Sequence, residues 1–153
     1  MKFCVFVTLC AVLIFYSSAS VANPNLEILG EGEVRIFSTE VVESPLVDRV
    51  TNVGFAFIYH TTSANAPYLR AKFTRIDGES ITLRGTDLTA RQVLRTLNYR
   101  KISSNAVGAL EYYYAFSMRG SDFIISGDTR INLQVAQRGD VLTVGWPVIL
   151  GSF

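Results

Sequence analysis

The sequence has little of what most active sites are built from. One histidine, His60, occurs in 153 residues, and the two cysteines, Cys4 and Cys10, fall within the first ten. A metal site built on several imidazoles is excluded by that count, and a Ser-His-Asp triad would have to use His60. No Gly-X-Ser-X-Gly elbow surrounds any serine, and no Walker or Gly-X-Gly-X-X-Gly loop is present. No cofactor is therefore expected, a nucleotide least of all. There is no Asn-X-Ser/Thr acceptor for N-glycans, no internal repeat and no low-complexity tract. The last two absences count against a repetitive coat or matrix component.

What is present begins with an address. Residues 3–16 read FCVFVTLCAVLIFY, preceded by Lys2 and followed by small residues. A charged start, a short apolar run and a small-residue site describe a secretory signal peptide. The run is shorter than the ~20 residues a bilayer-spanning helix needs, so no transmembrane segment is expected in the mature chain. Cleavage after Ser20 or after Ala22 satisfies the pattern, and we take residues 1–22 as the signal. Its removal takes both cysteines with it. The mature chain then has no disulfide, thiol nucleophile or Cys-ligated zinc. It carries thirteen basic and thirteen acidic side chains. Neutrality removes whole-molecule attraction to polyanions, so nucleic acid is not an expected partner and any anionic partner needs a local patch.

Residues 23–32 are polar and punctuated by Pro and Gly, which reads as a flexible leader. From Glu33 onward alternation dominates, the mark of half-buried strands. Val34 and Ile36 share one face, while Phe55, Phe57 and Tyr59 line one side of a strand over 50–61. Leu69, Ala71 and Phe73 alternate inward over 68–76, with Arg70 and Lys72 outward. Asp77-Gly78 is a hairpin signal leading to Ile81 and Leu83. Leu110, Tyr112, Tyr114, Phe116 and Met118 share a face opposite Glu111, Tyr113 and Ala115, and the two tyrosines are expected in the core. Strands over 131–136 and 141–146 finish the pattern. One window changes period: Ala90, Val93, Leu94 and Leu97 fall on one helical face, after a Thr89/Gln92 capping box. The expectation is a mainly β protein, a single antiparallel sandwich or barrel-like domain over 33–153. It has about eight strands at regular spacing and one short helix near 89–99.

Two features bear on function. Residues 70–101 hold eight basic side chains against Asp77, Glu79 and Asp87, whereas residues 23–53 hold six acids against Arg35 and Arg49. Either the two blocks neutralise each other across the fold, or Arg70, Lys72, Arg84, Arg91 and Arg95 form an anion-binding patch. Arg91 and Arg95 lie one helical turn apart and share a face. Second, Arg138-Gly139-Asp140 lies between two strands and resembles the tripeptide that integrins recognise. Plain turn geometry, with Gly at positive φ, is the simpler account of it. The expected function is a small secreted binding protein without enzymatic activity, whose partner is an extracellular protein, a glycan or an anionic lipid. A secreted hydrolase using paired carboxylates and an extracellular coat or matrix component are the alternatives. Glu111, within a strand, is the carboxylate least explained by solvation.

Mass spectrometry of the exported protein should find an N-terminus at Asn23 or Val21. An intact Met1 on a cytosolic protein would contradict the signal.

Overall fold

A computed structural model describes residues 24–120 and 122–149. The expected signal peptide and Cys4 and Cys10 lie outside them. The protein is mainly β. Eight strands form one antiparallel sheet in the order β2-β3-β1-β4-β10-β9-β6-β5, and β7 and β8 make a small separate sheet. The strands are β1 (Glu33–Ser38), β2 (Arg49–Asn52), β3 (Phe57–Thr62), β4 (Gly78–Leu83), β5 (Arg100–Val107) and β6 (Leu110–Phe116). They continue with β7 (Ile124–Ser126), β8 (Thr129–Ile131), β9 (Leu133–Arg138) and β10 (Val141–Trp146). Helix α1 is Ala66–Arg70 and helix α2 is Ala90–Leu97.

One sheet face is the core. Because side chains alternate and antiparallel partners share a face, register carries a single apolar layer across five strands. It runs Tyr59, Ile36 and Val34, Ile81 and Leu83, Leu142 and Val144, then Val135 and Leu133. Ala90, Val93 and Leu94 of α2 pack onto this layer, as does Leu69 of α1. The stretch expected as a loose leader contributes too. Leu26–Leu29 forms a 3₁₀ turn whose Leu26 and Leu29 are buried in the same cluster. Tyr59 ties down the loop after β1: its hydroxyl donates to the Glu40 carbonyl at 2.7 Å and accepts from the Val42 amide at 2.9 Å.

Several local expectations change. Residues 50–61 are not one strand but the β2–β3 hairpin, with Gly54 at φ 92 and Phe55 exposed in its turn. The 68–76 stretch is not a strand. Pro67, whose missing N–H is harmless in a first helical turn, opens α1; Leu69 reaches the core from the helix and Phe73 from the turn that follows it. Asp77-Gly78 is no hairpin tip, because no strand precedes it and Gly78 is itself the buried start of β4. β5 had no apolar signature, since all but one of its residues are exposed. β6 has the opposite parity to the one expected. Ala115 and Tyr113 face the core, and Tyr112 and Tyr114 lie half-buried on the other face.

A buried ion triad joins three elements. Arg70 of α1 grips Glu79 of β4 bidentately, Nε to Oε2 at 2.9 Å and Nη2 to Oε1 at 2.7 Å. The same Nη2 bonds Glu27 of the 3₁₀ turn. Burial pushes the Glu79 carboxyl above its usual range against the pull of Arg70. Removing one member of such a set strands a buried charge, at about 3–5 kcal/mol. Arg70→Ala should therefore unfold at markedly lower denaturant. Its stability should also fall more steeply than the wild type's as pH rises from 4 to 7, because without Arg70 nothing offsets the burial of Glu79. Glu79 then binds its proton more tightly folded than unfolded, so ionisation opposes folding. Denaturation melts across that range check both, and a wild-type-like profile would show that the triad carries no such energy.

Candidate anion-binding site

Helix α2 is placed by its caps. Thr89 accepts from the Gln92 amide at 3.3 Å, and the Gln92 side chain accepts from the Thr89 amide at 2.8 Å, the reciprocal box expected from sequence. Gln137 of β9 also accepts from the Ala90 amide at 3.1 Å, fixing the helix start to the sheet. At the other end Asn98 takes a left-handed conformation, φ 60, and the Tyr99 amide bonds back to the Leu94 carbonyl at 2.8 Å. This αL closure reverses the chain directly into β5. Residues on the outer turns of α2 therefore face the first residues of β5 across a cleft.

That cleft has a volume of about 420 Å³ and is lined by Arg91, Leu94 and Arg95 from α2, Tyr99, Lys101 and Ser104 around β5, and Tyr113 from β6. Lys101 Nζ lies 5.4 Å from the Tyr113 ring centroid, within cation–π range. The Tyr113 hydroxyl donates to Glu111 at 2.6 Å. That hydrogen bond, with some burial, holds the phenol protonated above its ordinary range. It also satisfies Glu111, the carboxylate the sequence left unexplained. Among the described residues no ion pair involves Arg91, Arg95 or Lys101. Like charges one turn apart cost a helix a few tenths of a kcal/mol, about 0.2–0.5, and only Arg95 sits where the helix dipole favours a cation.

The five candidate patch residues do not come together. Arg91 and Arg95 share the α2 cleft. Arg70 is consumed by Glu27 and Glu79. Lys72 is exposed just beyond α1. Arg84 follows β4 and lies on the opposite sheet face, beside Arg138. Among the described residues the one ion pair between the two charged blocks is Glu27 with Arg70, while Glu40 accepts from the Thr74 and Arg75 backbone amides at 2.9 and 2.7 Å. Arg75 pairs with Asp77 inside its own block. Arg138-Gly139-Asp140 does form the β9–β10 hairpin turn, Gly139 at φ 58 and Asp140 exposed. The Asp140 carbonyl accepts from the Thr86 amide at 3.2 Å, tying the turn to the loop before α2.

The catalytic arrangements weighed from sequence have partial counterparts. His60 is buried, with Nδ1 3.0 Å from Glu33 and Nε2 3.1 Å from the Thr51 hydroxyl. That is the connectivity of a hydroxyl–imidazole–carboxylate triad. Arg49 Nη2, however, is 3.2 and 3.4 Å from the two ring nitrogens, so nearly equidistant that it lies over the ring. Proton transfer from Thr51 would set an imidazolium against that guanidinium. The cluster instead stitches edge strand β2 to β3 and β1. Partial burial raises the Glu33 carboxyl, but hydrogen bonds from His60 and Arg35 outweigh it and hold the group below its usual range. Glu27 and Glu79 are as close as the carboxylates of a retaining glycosidase, about 5 Å, because they bond one guanidinium nitrogen. The guanidinium fills the space a sugar would need. Among the described residues no three of His, Cys, Asp and Glu are grouped to hold a metal.

Compared with protein-family models, curated proteins and solved structures, the chain has no match.

The sequence pointed to Arg91 and Arg95 through their spacing. Lys101, Tyr99 and Tyr113 were missed, since only the αL turn at Asn98 and the parity of β6 bring them there. Burial pushes the Tyr99 phenol up to about 12, so it stays a neutral hydroxyl beside the three cations. Folded-state stability should decline as pH rises past 10, where an exposed tyrosine ionises and Tyr99 does not. Ring-carbon NMR should show Tyr99 titrating near 12. Titration near 10 would mean that the ring is open to water.

Proposed function

We propose that the chain is a small secreted binding protein that holds a sulfated glycan in the cleft between α2 and the β5–β6 hairpin. The observation that carries this reading is the convergence of Arg91, Arg95 and Lys101 on one cleft with no carboxylate among the described residues paired to any of them. Guanidinium groups hold oxyanions through two parallel N–H bonds, and an ammonium supplies a third, more mobile positive charge. Phenol faces such as Tyr99 and Tyr113 suit the flat apolar side of a sugar ring. The volume falls within the range of small-ligand sites. The export signal expected from residues 1–22 supports this reading, since sulfated glycans are an extracellular class of ligand. No helix among the described residues is long and apolar enough to cross a membrane, and the cleft wall is polar apart from Leu94 and the tyrosine rings, which favours a glycan over a lipid surface.

Binding to a heparin oligosaccharide should weaken steeply with salt, because released counterions drive it. Arg91→Ala/Arg95→Ala should weaken it and reduce the slope of log K against log salt by about two, one for each contact removed. Calorimetry at several salt concentrations reads both. Unchanged affinity in the double variant, or binding to anionic vesicles but not to heparin, would overturn the assignment.

A further inference from the structure

A second basic cavity lies on the other face of the sheet, and its walls differ from those of the α2 cleft. It measures about 230 Å³. Thr82 of β4 and Thr143 of β10 are direct cross-strand partners, and their hydroxyls bond each other at 3.2 Å. That bond uses one hydroxyl proton and leaves the other free to donate. Arg84 and Arg138 flank the pair, and among the described residues neither is in an ion pair. Arg35, whose Nε holds Glu33 at 3.0 Å, adds a third guanidinium to the wall.

The remaining wall is apolar: Leu110, Val141 and Ile149. Ile149 is brought there by a close crossing of the chain over β10. At Gly145 a Cβ would collide with the Ile149 backbone, so only glycine lets residues 147–149 lie on the sheet. The Ile149 amide donates to Gln134 at 3.2 Å and holds the segment down. The cavity thus has a cationic, hydroxyl-bearing end and an aliphatic end. Its volume is below the range usual for drug-sized ligands.

We infer that this cavity binds a small amphiphilic organic anion, a carboxylate, sulfate or phosphate carried on a short apolar body. Arg84, Arg138 and the Thr82–Thr143 hydroxyl pair take the anionic head, and Leu110, Val141 and Ile149 cover the tail. A bare inorganic ion would leave the aliphatic end unused. A neutral alcohol would leave two guanidinium groups without a counterion. The inference is independent of the α2 cleft, whose residues lie on the other face of the sheet.

The test is an amide NMR titration of the mature chain with octanoate, octanol and acetate. Octanoate should give saturable shifts at residues 82, 84, 138 and 143. Octanol and acetate should each bind at least tenfold more weakly. Arg84→Gln/Arg138→Gln, which removes exposed and unpaired cations, should keep the wild-type melting temperature and lose octanoate affinity at least tenfold. Octanoate shifts that do not saturate or fall elsewhere would overturn the assignment. So would octanol binding as tightly as octanoate, or full affinity in the double variant. Heparin binding reports residues of α2, so failure of either site is read separately.

Discussion

The buried pairing of Arg70 with Glu79 and Glu27 sets the charge that the rest of the molecule presents. It locks the 3₁₀ turn, α1 and β4 together. It also removes two carboxylates from the surface in exchange for one guanidinium. Other acids are turned inward or sideways in the same manner: Glu40 caps the Thr74 and Arg75 amides, Glu33 holds Arg35 and His60, and Glu111 takes the Tyr113 hydroxyl. From residue 23 onward acids and bases are equal in number, yet Arg84, Arg91, Arg95, Lys101 and Arg138 are left without ion-pair partners among the described residues. Of the acids in the basic block, Asp87 alone remains exposed.

One sheet with one covered face dictates where those cations collect. Helices α1 and α2 and the N-terminal turn cover the apolar layer, so the α2 cleft opens where that cover ends, over β5 and β6. On the opposite face, residues 147–149 cross over β10, and among the described residues both helices pack into the core cluster instead. The cavity on that face forms where the crossing segment meets the arginines at the ends of β4 and β9. Burial energetics therefore place two basic concavities on opposite faces with different walls, one lined by tyrosines and one by aliphatic side chains.

What the sequence revealed depended on how strongly each segment's environment is one-sided. β1, β9 and β10 bury one face, so alternation exposes them. Helix α2 buries Ala90, Val93 and Leu94 and carries its own cap, so period and boundary were both legible. β5 is an edge strand exposed on both faces and carries no pattern. The parity of β6 was hidden because Tyr112, Tyr113 and Tyr114 are all half-buried, and only the registers with β9 and β5 separate them. Helix α1 and the turn after it imitate a strand because Leu69 and Phe73 also fit alternation. The cue that distinguishes it is Pro67 at the helix start, and missing it placed Arg70 in solvent instead of in the ion triad. No spacing rule could pair Arg84 with Arg138, which meet only through the β4–β10–β9 order.

The carboxylates of Glu27, Glu79, Glu33 and Glu111 are held in contacts of their own, and the surface over α2 and β5 is left basic. Paramagnetic relaxation of amide protons by soluble nitroxides of opposite charge measures that surface potential directly, with no ligand assumed. On a basic surface an anionic nitroxide should relax residues 91–104 more strongly than a cationic one, with the preference vanishing at high salt. Equal relaxation by the two probes across those residues at low salt would contradict it.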